Sequence, residues 1–192
     1  MDRAARYRGS IFLGVGYFRI FCFLLTCSME VAAKTYYDTP IGTIEIVTSE
    51  MGIKQLCFID HPTYEINPSH DRLLECIEQL DEYFEGKRTT FSLFMDMEGT
   101  EFQQRVWRDL LEIPIGTTKS YLQVAKSIQS PNAVRAVGSA CGKNKLWLLV
   151  PCHRVIGSDG KLTGYAGGLK RKRWLLQHEW GILHGQQASL FG

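Results

Sequence analysis

The stretch LWLLVPCHRVIG, from Leu146 to Gly157, sets a thiol, an imidazole and a guanidinium in succession at the end of an apolar run. A free cysteine titrates near about 8.5, so little of it is thiolate at neutrality, and a nucleophilic Cys152 needs a base or a positive potential to activate it. His153 is the adjacent base. On an extended backbone neighbouring side chains point to opposite faces, so the imidazole reaches the sulfur only through a bend or a bridging water. Pro151 fixes its own φ and holds Val150 extended, which favours a turn over a continuing strand. A third group must orient the histidine, and the downstream candidate is Glu179 in LLQHEWG. A lone Cys-His pair is equally compatible with a buried, inert cysteine beside a surface histidine, and spacing alone leaves both readings open.

The elements upstream of this stretch are short helices. In TEFQQRVWRDLLEI, Thr100 is placed to cap a helix with Gln103 three residues on, and Phe102, Val106, Leu110 and Ile113 share one face. Pro114 and Gly116 follow. Ser120 then caps a short helix through Ile128, QSP turns the chain, and a second helix runs from about Pro131 to Cys141. Two short helices joined by a tight turn have a helix-turn-helix outline. The second is rich in small residues (Ala133, Ala136, Gly138, Ser139, Ala140) around Arg135, which suits close approach to a DNA groove but suits tight core packing equally well. Lys119, Lys126, Lys143, Lys145 and the run LKRKRW at 169–174 supply local positive charge that a net charge of +2 conceals.

The N-terminal half reads differently. KTYYDTPIGTIEIVTSEMGIKQLCFID alternates β-branched and polar residues between turns at Pro40-Ile41-Gly42 and Glu50-Met51-Gly52, a strand meander. Residues 71–85 carry Leu73, Leu74, Ile77, Leu80 and Phe84 at helical spacing, and Gly86 stops the helix. The expected fold is α+β, with a sheet-plus-helix domain over 29–92 and a mainly helical, helix-turn-helix domain over 100–185. In residues 1–28, Arg3, Arg6 and Arg8 precede an apolar run broken by Arg19, the outline of a secretory signal but too short and interrupted for a spanning helix. With no A-x-A site and a fresh start at Met29, this extension is expected to be an upstream start-site artefact or appendage outside the fold. Six cysteines without a CxxC pair or zinc-finger spacing argue for free thiols in a reducing compartment.

PCHRV at 151–155, preceded by RAVGSACGKN at 135–144 and followed by GYAGGLKRKRWLLQHE at 164–179, resembles the methylated-DNA–protein-cysteine methyltransferases, or O6-alkylguanine-DNA alkyltransferases. The likeness spans about residues 101–181, and the first half is similar to the family's variable, ribonuclease-H-like N-terminal domain. The resemblance implies a suicide repair protein that moves an alkyl group from O6 of guanine, or O4 of thymine, in double-stranded DNA onto its own cysteine. It implies Cys152 as acceptor, His153 as the base acting through a water, Glu179 as its support, and Asn144 as the tie between helix-turn-helix and active turn. Tyr121 would crowd the nucleotide's phosphate and assist the departing guanine. Arg135 would fill the space of the flipped base, with Ala133, Val134, Ala136 and Gly138 at the DNA. Trp147, Val155, Tyr165 and Ala166, with Gly167 and Gly168, would wall the guanine pocket. No cofactor, metal or membrane is implied, and a monomer in a bacterial cytoplasm is expected.

Four positions depart from the family's usual pattern: Lys145 where proline is common, Trp147 in place of a smaller residue, Val134 for alanine, and Ala166 where serine also occurs. They bear on lesion size, whereas the acceptor chemistry survives all four. Two other classes compete. A non-catalytic sensor of alkylated DNA would have the acceptor cysteine replaced, and a sequence-specific regulator would need more base-reading side chains than Asn132 and Arg135.

Overall fold

The computed structural model describes residues 33–62 and 70–185, so the reading of residues 1–28 lies outside it. The fold is α+β. Strands β1 (Lys34–Thr39), β2 (Gly42–Ser49) and β3 (Gly52–Ile59) form an antiparallel meander in sequence order. Gly52, at φ +151°, makes the β2–β3 turn possible: a Cβ there would come within 2.3 Å of the Phe94 carbonyl oxygen. Alternate residues Ile44, Ile46, Leu56 and Phe58 are buried. Helix α1 (Asp71–Phe84) covers them with Leu73, Cys76, Ile77, Leu80 and Tyr83. Leu74, expected on this face, is instead 43% exposed, because it sits one position off the stripe.

The outer edge of β3 is not left free. The Ile53 amide donates to Phe94 O and Asp96 N donates back to Ile53 O, both at 2.8 Å, while Leu56 N donates to Lys145 O (2.8 Å) and Trp147 N to Leu56 O (2.9 Å). An unpaired edge is thereby satisfied, and the segment leading to Cys152 hangs on the N-terminal sheet.

The second half comprises α2 (Glu101–Leu111), β4 (Lys119–Ser120), α3 (Tyr121–Ser127), α4 (Val134–Lys143), a 3₁₀ turn (Cys152–Arg154), β5 (Val155–Ile156) and α5 (Leu169–His184). Thr100 with Gln103 and Ser120 with Gln123 both close reciprocal capping boxes. Trp107, a buried residue beside Val106 on α2, donates from Nε1 to Ala140 O at 2.9 Å and ties α2 to α4. Strands β4 and β5 pair in parallel, Lys119 with Val155 and Ser120 with Ile156, which fixes the start of the helix pair beside the Cys152 turn.

Helix α4 begins at Val134 rather than Pro131. Ala133 N still closes a turn on Ser130 O, and the first i to i−4 bond is Val137 N to Ala133 O. Val137, Ala140 and Cys141 face the core, leaving Arg135, Ala136 and Ser139 exposed. The basic run at 169–174 does not form one charged face. Lys172 is fully buried, and Arg171 donates to Ile41 O (2.9 Å) and Gly167 O (3.2 Å) and pairs with Asp60 (3.3 Å). Helical periodicity divides such a run between core and solvent.

Replacing Ser120 by alanine removes the α3 cap and is expected to lower stability by about 1 kcal/mol. Urea denaturation at neutral pH measures the loss.

Candidate active site

The buried carboxylate of Glu179, on the inner face of α5, organises the site. Its Oε1 accepts from His153 Nε2 at 2.7 Å, Arg154 Nη2 at 2.9 Å and the Tyr83 hydroxyl at 3.0 Å. Its Oε2 accepts from Arg154 Nε at 2.9 Å and the Gly116 amide at 3.3 Å. Burial alone would raise its pKa, but the pull of His153 and the Arg154 guanidinium wins and holds it well below the usual carboxylate range. Glu179 is therefore an acceptor at any working pH. That fixes the tautomer of His153 with its proton on Nε2 and its lone pair on Nδ1.

Among the described residues His153 Nδ1 has no hydrogen-bond partner despite full burial. Burial pushes the imidazole pKa down, with Glu179 opposing that effect, so the ring is neutral near pH 7 and its free nitrogen is basic. The Cys152 thiol is itself buried, 3% exposed, and burial raises its pKa. Asn144 Nδ2, donating to Sγ at 3.2 Å, and the Lys172 ammonium both favour the thiolate and partly offset burial. The arrangement keeps a desolvated thiol protonated until a base removes the proton.

Asn144 closes α4 and staples the chain that follows. Its Nδ2 also donates to Val150 O (2.9 Å), its Oδ1 accepts from Leu146 N (2.9 Å), and its carbonyl accepts from Trp147 Nε1 (2.8 Å). Within that loop Leu148 adopts φ +69°, a strained conformation for a non-glycine residue that persists because its side chain is buried. A turn at Pro151 follows as the dipeptide suggests, and it is 3₁₀ in form.

Around the thiol, Trp147 packs at a tilt between Phe58 of β3 (5.9 Å between centroids) and Tyr165 (5.7 Å). The Tyr165 hydroxyl is buried without a protein partner, and its ring stands edge-on to His153. Val155 is in the core with its carbonyl accepting from Lys172 at 2.5 Å, and Ala166 is exposed on the loop after Tyr165. Tyr121, at the start of α3, donates to Thr163 O at 3.3 Å, and burial raises its pKa, so it remains a neutral donor. Gly138 of α4 lies over the Tyr121 ring. Arg135 and Ala136 are exposed, and Ala133 and Val134 are half-buried at the start of α4. Among the described residues no three His, Cys, Asp or Glu side chains converge as metal ligands.

Three participants were not legible as such. Arg154 was read only as part of a motif, yet it is buried and forks onto Glu179. In the sequence Lys172 counts only as local positive charge. It donates to Val155 O, Thr163 O and Gly164 O, and burial brings its pKa down to about 8. Its spacing of three from Leu175 and seven from Glu179 was the available signal. Tyr83 falls on the apolar stripe of α1, but no sequence pattern connects it to Glu179.

The geometry sets a buried cysteine, hydrogen-bonded by Asn144 and followed by a carboxylate-supported histidine, directly after a helix-turn-helix. Residues 101–181 match the model for the DNA binding domain of 6-O-methylguanine DNA methyltransferase, and residues 33–97 match its ribonuclease-like domain. A methylated-DNA–protein-cysteine methyltransferase from Mycobacterium bovis is 45% identical over 147 residues, 74% of this chain and 88% of the relative. The crystal structure of Mycobacterium tuberculosis O6-methylguanine methyltransferase is similar at 42% identity with a TM-score of 0.72, covering 79% of this chain and 94% of that one. The Mycobacterium tuberculosis protein in complex with DNA is similar at 42% identity with a TM-score of 0.70, covering 77% and 92%. This chain belongs to the methylated-DNA–protein-cysteine methyltransferase family.

The buried pair also shapes acid stability. His153 and Glu179 both have folded pKa values below their unfolded ones, so their contribution is complete above the unfolded values and is lost on acidification. Stability is expected to fall as pH drops below about 6.5, where unfolded histidine takes up a proton, and further below about 4.3. Urea midpoints measured against pH check this, and His153→Gln should flatten the upper part of the decline.

Proposed function

We propose that this chain repairs O6-alkylguanine, and O4-alkylthymine, in duplex DNA by a single irreversible transfer of the alkyl group to Cys152. The observation that carries the reading is the buried Cys152 thiol, hydrogen-bonded by Asn144 at the end of α4 and followed by an imidazole whose Nε2 is committed to Glu179 and whose Nδ1 is free. A proton leaving Sγ passes through a water to Nδ1, and Glu179 stabilises the imidazolium that results. The thiolate attacks the alkyl carbon, the carbon–oxygen bond breaks, and its electron pair stays on the guanine. A neutral Tyr121 assists the departing base with a hydrogen bond, and the guanine anion takes up one proton from solvent while the imidazolium releases the one it took from the thiol. The thioether formed is not a leaving group, so each molecule acts once.

The target atom is unreachable inside a duplex, so the nucleotide must leave the stack at a cost of a few kcal/mol, less where alkylation has weakened its pair. Exposed Arg135, near the start of α4, substitutes for the extruded base. The small side chains of Ala133, Ala136 and Gly138, with Val134, let the helix lie close in the minor groove. Trp147, Tyr165 and Ala166 bound the pocket, while Val155 contributes through its backbone. Duplex DNA as partner is supported by the likeness to the Mycobacterium tuberculosis structure with DNA. No helix among the described residues is long and apolar enough to cross a membrane. The cysteines among them are free, which suits a reducing compartment such as the cytoplasm, and we propose a monomer there.

Incubation with duplex DNA carrying O6-methylguanine, followed by intact-mass and peptide mass spectrometry, should give one methyl group per molecule, on Cys152, and none on a Cys152→Ala variant. An unmodified protein that still binds the lesion would be a sensor instead. For Arg135→Ala, transfer from duplex DNA should slow about tenfold, equivalent to about 1.4 kcal/mol, while reaction with the free modified base is spared. Single-turnover rates on the two substrates test this.

A further inference from the structure

The alkyltransferase site lies in the second half of the chain, yet one of the hydrogen bonds on its central carboxylate comes from the first half. Tyr83, on the last turn of α1, donates to Glu179 Oε1 at 3.0 Å across 96 residues of sequence. Its side chain is 1% exposed, and among the described residues the hydroxyl has no second hydrogen-bond partner. Because Glu179 is an acceptor only, the phenol proton has one direction to point.

Oε1 is shared by three donors. His153 Nε2, Arg154 Nη2 and the Tyr83 hydroxyl approach it within 2.7–3.0 Å, whereas a carboxylate oxygen offers about two lone-pair directions. Crowded donors draw on the same charge, so each weakens the hold that the others feel. Arg154 also bonds Oε2 and Ile113 O, so its guanidinium spans both carboxylate oxygens and is anchored independently of Tyr83. Tyr83 alone among the three belongs to a different domain from His153.

We infer that Tyr83 is a positioning residue for alkyl transfer: its hydroxyl, delivered by the N-terminal domain, shares Glu179 Oε1 with His153 and so sets how tightly the imidazole holds the proton taken from the thiol. This rests on the roles given to Cys152, His153 and Glu179 above. With the hydroxyl present, Oε1 carries less charge and an imidazolium is held less firmly. Without it, the imidazole becomes more basic and is protonated, and useless as a base, at higher pH.

The other charged or titratable groups facing this cluster are Arg154 on the 3₁₀ turn, Lys172 on α5, Tyr165 on the pocket loop and Cys152 itself. His178 of α5 stands edge-on to the Tyr83 ring and donates from Nε2 to the Tyr83 carbonyl at 2.8 Å. None of these contacts uses the Tyr83 hydroxyl, so its removal leaves them in place. The ring is packed by Phe84, Phe91 and His178, which a phenylalanine would preserve.

The test is the pH dependence of single-turnover methyl transfer from O6-methylguanine duplex, read beside an NMR titration of His153 and a thermal melt. In Tyr83→Phe the acid limb and the His153 titration should both move to higher pH by about half a unit or more. Placing 3-fluorotyrosine at position 83, a stronger donor of nearly the same shape, should move both to lower pH and keeps the test open if the phenylalanine variant folds poorly. A melting temperature that falls while both pH readouts stay fixed in the two variants would overturn the inference and leave Tyr83 a packing residue. The underlying reading fails separately: wild-type transfer would then lack an acid limb that follows the His153 titration, or would put the methyl group elsewhere than on Cys152.

Discussion

An ionised carboxylate with no exposed surface is the constraint around which the rest of this molecule is arranged. Burying Glu179 without partners would cost far more than a domain's margin of stability, so the chain surrounds it with His153, Arg154, Tyr83 and the Gly116 amide. Those donors come from the 3₁₀ turn, from α1 and from the segment after α2. Satisfying one charge therefore fixes the relative positions of both halves of the chain. It also fixes the histidine tautomer, and with it which ring nitrogen is free for chemistry.

A second staple works at the other end of the active turn. Asn144 holds the carbonyl of Val150, the amide of Leu146 and the sulfur of Cys152 from the terminus of α4, so the thiol is referenced directly to the second helix of the helix-turn-helix. Lys172 does the same for the far wall by gathering the carbonyls of Val155, Thr163 and Gly164. Between these staples the backbone carries strain at Leu148, and the apolar core holds it there. Thiol, imidazole and the loop across from them are thereby held in place before any ligand arrives.

The N-terminal sheet takes part in this through its edge. The segment 145–147 pairs with Leu56 of β3, and Phe58 supports the Trp147 ring that meets Tyr165. A domain that carries none of the motif residues thus shapes the pocket through backbone pairing and aromatic packing. The same sheet would otherwise present an open edge, so one set of hydrogen bonds serves both solubility and site geometry.

The local features were settled by sequence. Thr100 with Gln103, and Ser120 as a cap, announced their helices because a helix start is closed within four residues. The two turns before Gly42 and Gly52 announced the meander, and PCHRV with its flanks announced the chemistry. Several roles that depend on a distant partner escaped: Lys172 hidden in a basic run, Arg154 hidden in a motif, and Tyr83 reaching Glu179 from 96 residues away; Leu74, too, lies outside a stripe it adjoins. Periodicity tells which face of a helix is buried, but not what that face will meet. Only the packing of α1 against α5 decides which donors share a carboxylate, because desolvation and charge compensation act through space rather than along the chain.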